Sequence, residues 1–384
     1  MLKPFPVVPT RRQFLVAAAT IPWASELLAQ SPTRIERVHE PENLESNFSR
    51  LNAFLTPTES FFVRNHFGIP QWDATTYRLQ VEGAVRTPLS LTLAELKALA
   101  GTPITRPLTL ECAGNGRVYL TPPVRGVAWQ SGAVGTAEWT GCPLAKVLEK
   151  AGVESRAVEV VLEGADSGTV ADPPSPGPIA FARSLPVEKA LRPEVLLAWG
   201  MNGAPLAPRH GAPLRAVVGG WYGMASVKWL KRILVVTEPF QGFYQTLDYS
   251  YFRRVAGIPT LTPITTMQVK SQIARPAPHD VIPADRPYSI VGAAWAGDQP
   301  ALGQDAPAIL AALDPDNIAV LDDQEAMAVR GQEGAYQYVL VKILGINALD
   351  FGPGITWTWN PLGFRYGAYG GPGWSSAYLD AADA

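Results

Sequence analysis

Proline and glycine break this chain too often for long helices to form: 36 prolines and 34 glycines are spread along 384 residues. Proline removes a backbone donor and clashes with the preceding turn, and glycine loses the most conformational freedom on folding, so both mark the ends of short elements. Many short strands fit this punctuation; an all-helical fold does not. Apolar residues make up 47% of the chain, enough for a substantial core, and the length accommodates two domains behind a leader. The formal net charge is -2 and no dense basic run occurs. That argues against nucleic acid as a partner, because phosphate binding needs clustered Lys and Arg to displace counterions. Small molecules or proteins are expected instead.

The N-terminal stretch TRRQFLVAAATIPWASELLAQ pairs Arg11 and Arg12 with Phe14, Leu15 and an alanine-rich run, and Leu28, Ala29 and Gln30 form a plausible cleavage region. The pattern predicts a twin-arginine export signal over residues 1–30. The apolar run from Phe14 to Ala24 is shorter than the roughly 20 residues that cross a hydrocarbon core, so no membrane span is expected in the mature chain. The expected location is the periplasm. This route exports folded proteins, so a cofactor inserted in the cytoplasm is expected too.

Two cysteines in an exported chain invite a disulfide, yet their settings differ. In LTLECAGNGR, Leu108, Leu110 and Cys112 share one face of a period-2 strand, and Gly114-Asn115-Gly116 supplies a tight turn that returns Arg117. Cys142 precedes Pro143 and the amphipathic segment PLAKVLEKAGV, a helix closed by Gly152, where a small buried residue serves packing. In FFVRNH, strand alternation puts Phe62, Arg64 and His66 on one side and Asn65 on the other. Farther on, His210, Arg215 and Lys228 surround another Gly-rich bend, ahead of a strand ending at Val236.

Neither His66 nor His210 has zinc-site spacing, and no dinucleotide fingerprint, P-loop or G-x-S-x-G elbow is present. What remains is a thiol near fixed cations and backbone donors. A soft thiolate selects transition metals, and arginines suit a phosphorylated cofactor and an anionic substrate. Together they suggest a pterin-bound molybdenum centre.

FFVRNH, LTLECAGNGR, HGAPLR and SVKWL, in this order between about residues 40 and 260, resemble the sulfite oxidase family of molybdenum-cofactor enzymes. The resemblance implies an α+β chain: a mixed α/β molybdopterin-binding domain over 31–258, then an immunoglobulin-like β-sandwich dimerisation domain over 259–384. One molybdenum-molybdopterin per subunit follows from it, with Cys112 as the thiolate on the metal. Phe62, Val63, Arg64, Asn65 and His66 would line the pterin, and Asp166 would bond its ring. His210 and Arg215 would hold the pterin and its phosphate, and Ser226, Val227 and Lys228 would wrap it. Arg64 and Arg117 would face the substrate. The implied reaction oxidises sulfite to sulfate by oxygen-atom transfer at molybdenum. No C-x-x-C-H haem motif occurs, so the implied acceptor is a separate c-type cytochrome, and a homodimer is implied.

The chain departs from the family pattern in three places. Phe240 falls where the family has its active-site tyrosine, with Tyr244 and Tyr249 as alternatives. Leu362 falls where a second-domain arginine is expected. These departures admit another oxyanion, or an S- or N-oxide, on the same cofactor. In the C-terminal third, TTMQVKSQIARPAPHDVI and YSIVGAAWAGDQP read as strands, but residues 301–354 show little strand alternation and no strong turn dipeptide. That stretch implies a locally remodelled sandwich or a disturbed reading frame, and it raises a third reading, a non-catalytic degenerate member of the family.

Overall fold

The computed structural model describes residues 32–71, 75–277, 280, 288–297 and 338–346, with 288–289 and 338–346 as backbone. Its elements are short. They run β1 (Arg34–Val38), β2 (Asn43–Ser46), β3 (Leu79–Gly83), β4 (Leu89–Leu91), α1 (Leu93–Ala100), β5 (Ile104–Glu111), β6 (Val134–Pro143), α2 (Leu144–Ala151), β7 (Glu159–Gly168) and β8 (Ile179–Pro186). The chain continues through α3 (Val187–Ala190), β9 (Val195–Met201), β10 (Ala204–Pro205), β11 (Arg215–Val218), β12 (Leu230–Val236), α4 (Phe243–Thr246), β13 (Ser250–Val255), β14 (Ile258–Pro263), β15 (Lys270–Arg275), β16 (Tyr288–Trp295) and β17 (Tyr338–Ile346).

Local signals set the helix ends. Thr92 accepts a bond from the Glu95 N–H, and the Glu95 carboxylate accepts from the Thr92 N–H, a capping box that starts α1. Helix α2 follows Pro143, buries Leu144, Val147, Leu148 and Ala151, and stops at left-handed Gly152, as its periodicity predicts.

Two five-stranded sheets frame the centre. One has the order β10-β9-β6-β5 with β11 also on β9; the other runs β4-β3-β12-β7-β8. Pairing is antiparallel except between β12 and β3. The first sheet is covered on both faces. Cys142, Leu197, Ala216 and Val218 enter one apolar cluster, while Leu108, Leu110, Cys112, Trp139, Ala198 and Val217 enter another. Consecutive residues of β9 and β11 thus go to opposite cores, as the two-residue period of a strand requires. Trp139 is fully buried and its indole N–H donates to the Leu108 carbonyl at 3.1 Å, which removes the cost of hiding the donor.

The segment FFVRNH is not a regular strand. Only Val63 pairs, exchanging bonds of 2.9 and 2.8 Å with Leu44 of β2. Asn43 interrupts the ladder, because its side-chain oxygen captures the Asn65 N–H at 3.0 Å.

Near the C-terminus, β15, β16 and β17 form an antiparallel sheet, so the strands read in residues 270–275 and 288–295 are present. Residues 338–346 also form a strand, inside the stretch where alternation failed to indicate one. The run YVLVKILGI is almost continuously apolar, and a continuous run carries no two-residue period. The twin-arginine segment, Leu362 and the rest of the expected sandwich lie outside the described residues. Among the described residues no helix is long and apolar enough to cross a membrane.

Candidate functional site

Strand β5 delivers its last residues to a cleft of about 660 Å³ that is partly open to solvent. Cys112 follows the strand directly, is 6% exposed, is a free thiol, and lines this cleft. A polar frame fixes the turn beyond it. The Cys112 N–H donates to the Ala133 carbonyl at 2.9 Å, and the Asn115 N–H donates back to the Cys112 carbonyl at 2.8 Å. The Asn115 side chain accepts from the Ala133 N–H at 3.0 Å and donates to Glu111 at 3.1 Å. Glu111 is fully buried and its charge is met by Lys270 of β15 at 2.8 Å. The thiol is therefore presented by a braced strand end. Cys142 is fully buried away from the cleft, and burial pushes its thiol pKa up, in line with a packing role.

Arg117 does not line the cleft. Its charge still reaches the cleft wall, where it favours the ionised form of Tyr249. Its guanidinium donates to the Val127 carbonyl at 2.9 Å and lies against Gly114 and Gly126, where an added Cβ would sit 2.4 and 2.7 Å from its nitrogens. The turn glycines make room for the arginine.

The other walls are cationic. Arg64, His66, Arg209, His210, Arg215 and Lys228 all line the cleft, against Asp166 as the one carboxylate among the described lining residues. Arg215 is held by three carbonyls, those of Ala216, His210 and Ser226, at 3.2, 3.1 and 2.9 Å, and stacks 4.8 Å from the Trp139 ring. Burial pulls its pKa down to about 9. His210 accepts no counter-charge; burial and the nearby Lys228 and Arg215 lower it to about 3, so the ring is neutral. Lys228 donates to the Asn65 side chain and to the Arg209 carbonyl at 3.1 Å, and sits 4.3 Å over the Trp229 ring. Burial and the facing Arg215 depress its pKa well below the usual lysine value. Burial raises Asp166 to about 6 against the pull of Lys228.

Phe62, Val63 and Ser226 line the cleft as expected. Asn65 and Val227 do not. Asn65 is buried behind the wall as an anchor for Lys228, and Val227 packs into the larger core.

Tyrosine 249 settles the alternatives left open by Phe240. It lines the cleft, whereas Phe240 sits apart with its N–H donating to Glu159 at 2.9 Å, and Tyr244 packs behind, against Phe181 and His66. The Tyr249 hydroxyl is 2.7 Å from His66 Nε2. Burial, Arg64 and Lys228 drive the His66 pKa well below its ordinary value, so the neutral ring can accept this hydroxyl proton. Arg64 also hydrogen-bonds Tyr249, and its own pKa rises despite burial, chiefly through Tyr249 and Cys112. Burial lifts Tyr249 to about 12, so the phenol stays protonated at neutral pH. His66 is further sandwiched by Phe181 at 4.3 Å, a partner that β8 brings from far along the chain.

These residues fit a large anionic cofactor with a soft metal. Buried cations with one opposing carboxylate call for an anion. Asp166 Oδ1, in the cleft wall, is buried with no hydrogen-bond partner, which leaves an acceptor for a polar ring. Among the described residues no cluster of three His, Cys, Asp or Glu side chains could bind a metal alone, so a metal at Cys112 needs ligands from a cofactor.

Comparison with known proteins gives the same class. Residues 66–244 match the oxidoreductase molybdopterin binding domain. The chain is 38% identical to mitochondrial sulfite oxidase of Macaca fascicularis over 269 residues, 67% of this chain and 46% of that protein. It is 36% identical to sulfite oxidase of Gallus gallus over 298 residues, 73% of this chain and 63% of the relative. The chain thus spans about half to under two thirds of the length of these relatives. The crystal structure of the sulfane dehydrogenase SoxCD from Paracoccus pantotrophus shares the fold, with a TM-score of 0.63 at 24% identity, over 89% of this chain and 82% of that one. The chain belongs to the sulfite oxidase family of molybdopterin-dependent oxidoreductases.

Proposed function

We propose that this protein oxidises sulfite to sulfate, with Cys112 as the protein ligand of a molybdenum-molybdopterin. The observation that carries this reading is the placement of a free, braced thiol in one cleft with Arg64, Tyr249 and a cationic wall. When bound, the cofactor supplies two-electron oxygen-atom transfer. Arg215 and Lys228 would face its phosphate with positive charge, neutral His210 would hydrogen-bond it, and Asp166 and Ser226 would bond its polar ring. Arg64 would hold the sulfite dianion by fixed positive charge, in a site where burial strengthens the attraction. Tyr249, kept protonated by burial, would turn its one hydroxyl hydrogen from His66 to the same anion. The sulfite named for the relatives supports this choice of substrate. Export to the periplasm, an immunoglobulin-like second domain, a homodimer and a c-type cytochrome acceptor complete the proposal.

Protein purified from a molybdenum-replete host should carry near-stoichiometric molybdenum and reduce cytochrome c or ferricyanide in a sulfite-dependent way. Cys112→Ser should abolish turnover while pterin remains bound. Folded protein without molybdenum, or loaded protein inert toward sulfite, refutes the reading.

A further inference from the structure

Hairpin β13–β14 leaves a large apolar surface uncovered. Tyr251, Phe252, Val255, Ile258 and Leu261 are 49, 76, 51, 66 and 43% exposed. The hairpin is a separate two-stranded sheet, an element that is marginal in water unless something packs on it. Its turn is nonetheless well formed. Ala256 and Gly257 both take positive φ, 50° and 82°, the type I′ geometry that matches strand twist.

Register shows which parts can bind a partner. Val255 pairs with Ile258 across the two-residue turn, so this pair, Arg253 with Thr260, and Tyr251 with Thr262 exchange the ladder hydrogen bonds. The outward N–H positions of β14 are then 259, 261 and 263, and Pro259 and Pro263 have no N–H to offer. Only Leu261 offers an N–H there, which disfavours strand addition along that edge. The apolar side chains lie on the two faces. One carries Tyr251, Arg253, Val255 and Ile258, and the other Phe252, Arg254, Pro259 and Leu261. Arg253 and Arg254 are exposed and make no ion pair among the described residues. The hairpin begins one residue after Tyr249, which lines the cleft.

We propose that this hairpin is the docking surface for an electron-accepting protein whose contact face is apolar and rimmed by carboxylates. The proposal rests on reading the chain as an oxidoreductase that passes its electrons to a separate protein. An arginine on each face repels the same face of a second copy and attracts an acidic rim, and continuity with Tyr249 puts the base of the hairpin next in the chain to the redox site.

The cofactor-loaded full chain is titrated with an acidic c-type cytochrome at about 20 and about 200 mM salt, on either side of strong surface screening. Binding should weaken with salt. Arg253→Glu with Arg254→Glu should weaken low-salt binding by about tenfold or more, and Phe252→Ser with Ile258→Ser and Leu261→Ser should weaken it at both salts. Sulfite-dependent ferricyanide reduction should be unchanged in both variants. No binding to the wild type, or equal binding by all three proteins, overturns the proposal. So does a halved mass of the serine variant by light scattering, which would assign the surface to a second copy. A lowered Tm with binding intact would assign it to the chain's own residues and also overturn it. Loss of ferricyanide activity in the wild type would sink the functional reading instead, leaving the binding comparison valid.

Discussion

Replacing Asp166 by Asn should remove a pH-dependent cost of folding from the cofactor-free chain. Burial raises this carboxyl from its ordinary 3.8 to about 6, and its Oδ1 has no partner. The folded state therefore holds a proton that the unfolded state has released, and stability falls as pH rises from 3.8 to 6. At about 1.4 kcal/mol per pKa unit, the full penalty is about 3 kcal/mol above pH 7. About half of it, roughly 1.4 kcal/mol, develops between pH 5 and pH 7.5. The assay is urea unfolding of wild type and Asp166→Asn, purified from a host that makes no molybdopterin. Relative to wild type, the variant's midpoint should gain about 0.5 M urea between those pH values, for a slope of about 3 kcal/mol/M. His66 and His210 also bind fewer protons folded than unfolded, but they contribute equally to both proteins and cancel in the difference. In a Lys228→Met background the effect should grow, because the lysine lowers the Asp166 pKa. A difference that is flat with pH would show that Asp166 is not a buried, raised carboxyl and would remove it from the cofactor wall.

Three further outcomes follow from the same geometry. Lys270→Met should destabilise the chain by about 3–5 kcal/mol in urea, because Glu111 is left charged and fully buried, and adding Glu111→Gln should restore most of the loss. Tyr249→Phe removes the hydroxyl 2.7 Å from His66 and should lower kcat/KM for sulfite about tenfold at unchanged molybdenum content; an unchanged ratio would take the hydroxyl out of the reaction. Arg64→Gln should raise the KM for sulfite about tenfold to a hundredfold in steady-state assays, the loss of one charge-assisted contact, and an unaltered KM would exclude it from the substrate pocket.

Much of the site was readable from one-dimensional pattern. Cys112 could be placed at a strand end because Leu108 and Leu110 show the two-residue period before the glycine turn. The end of α2 could be read because Gly152 follows an amphipathic repeat. The packing of Arg117 was not readable: spacing brings a side chain back toward a strand end but does not say which carbonyl it will meet, and Val127 lies ten residues further on. Strand Tyr338–Ile346 escaped notice because an unbroken apolar run shows no alternation.

By itself the sequence determined the short elements and the thiol at a strand end before a glycine turn, since each depends on residues close in the chain, and it named the cations without their arrangement. Only the tertiary structure decided what those cations face and which tyrosine joins them. Tyr249 meets His66 across 183 residues, and Lys270 meets Glu111 across 159. Contacts at such separations arise from sheet pairing and core packing, and no local periodicity records them.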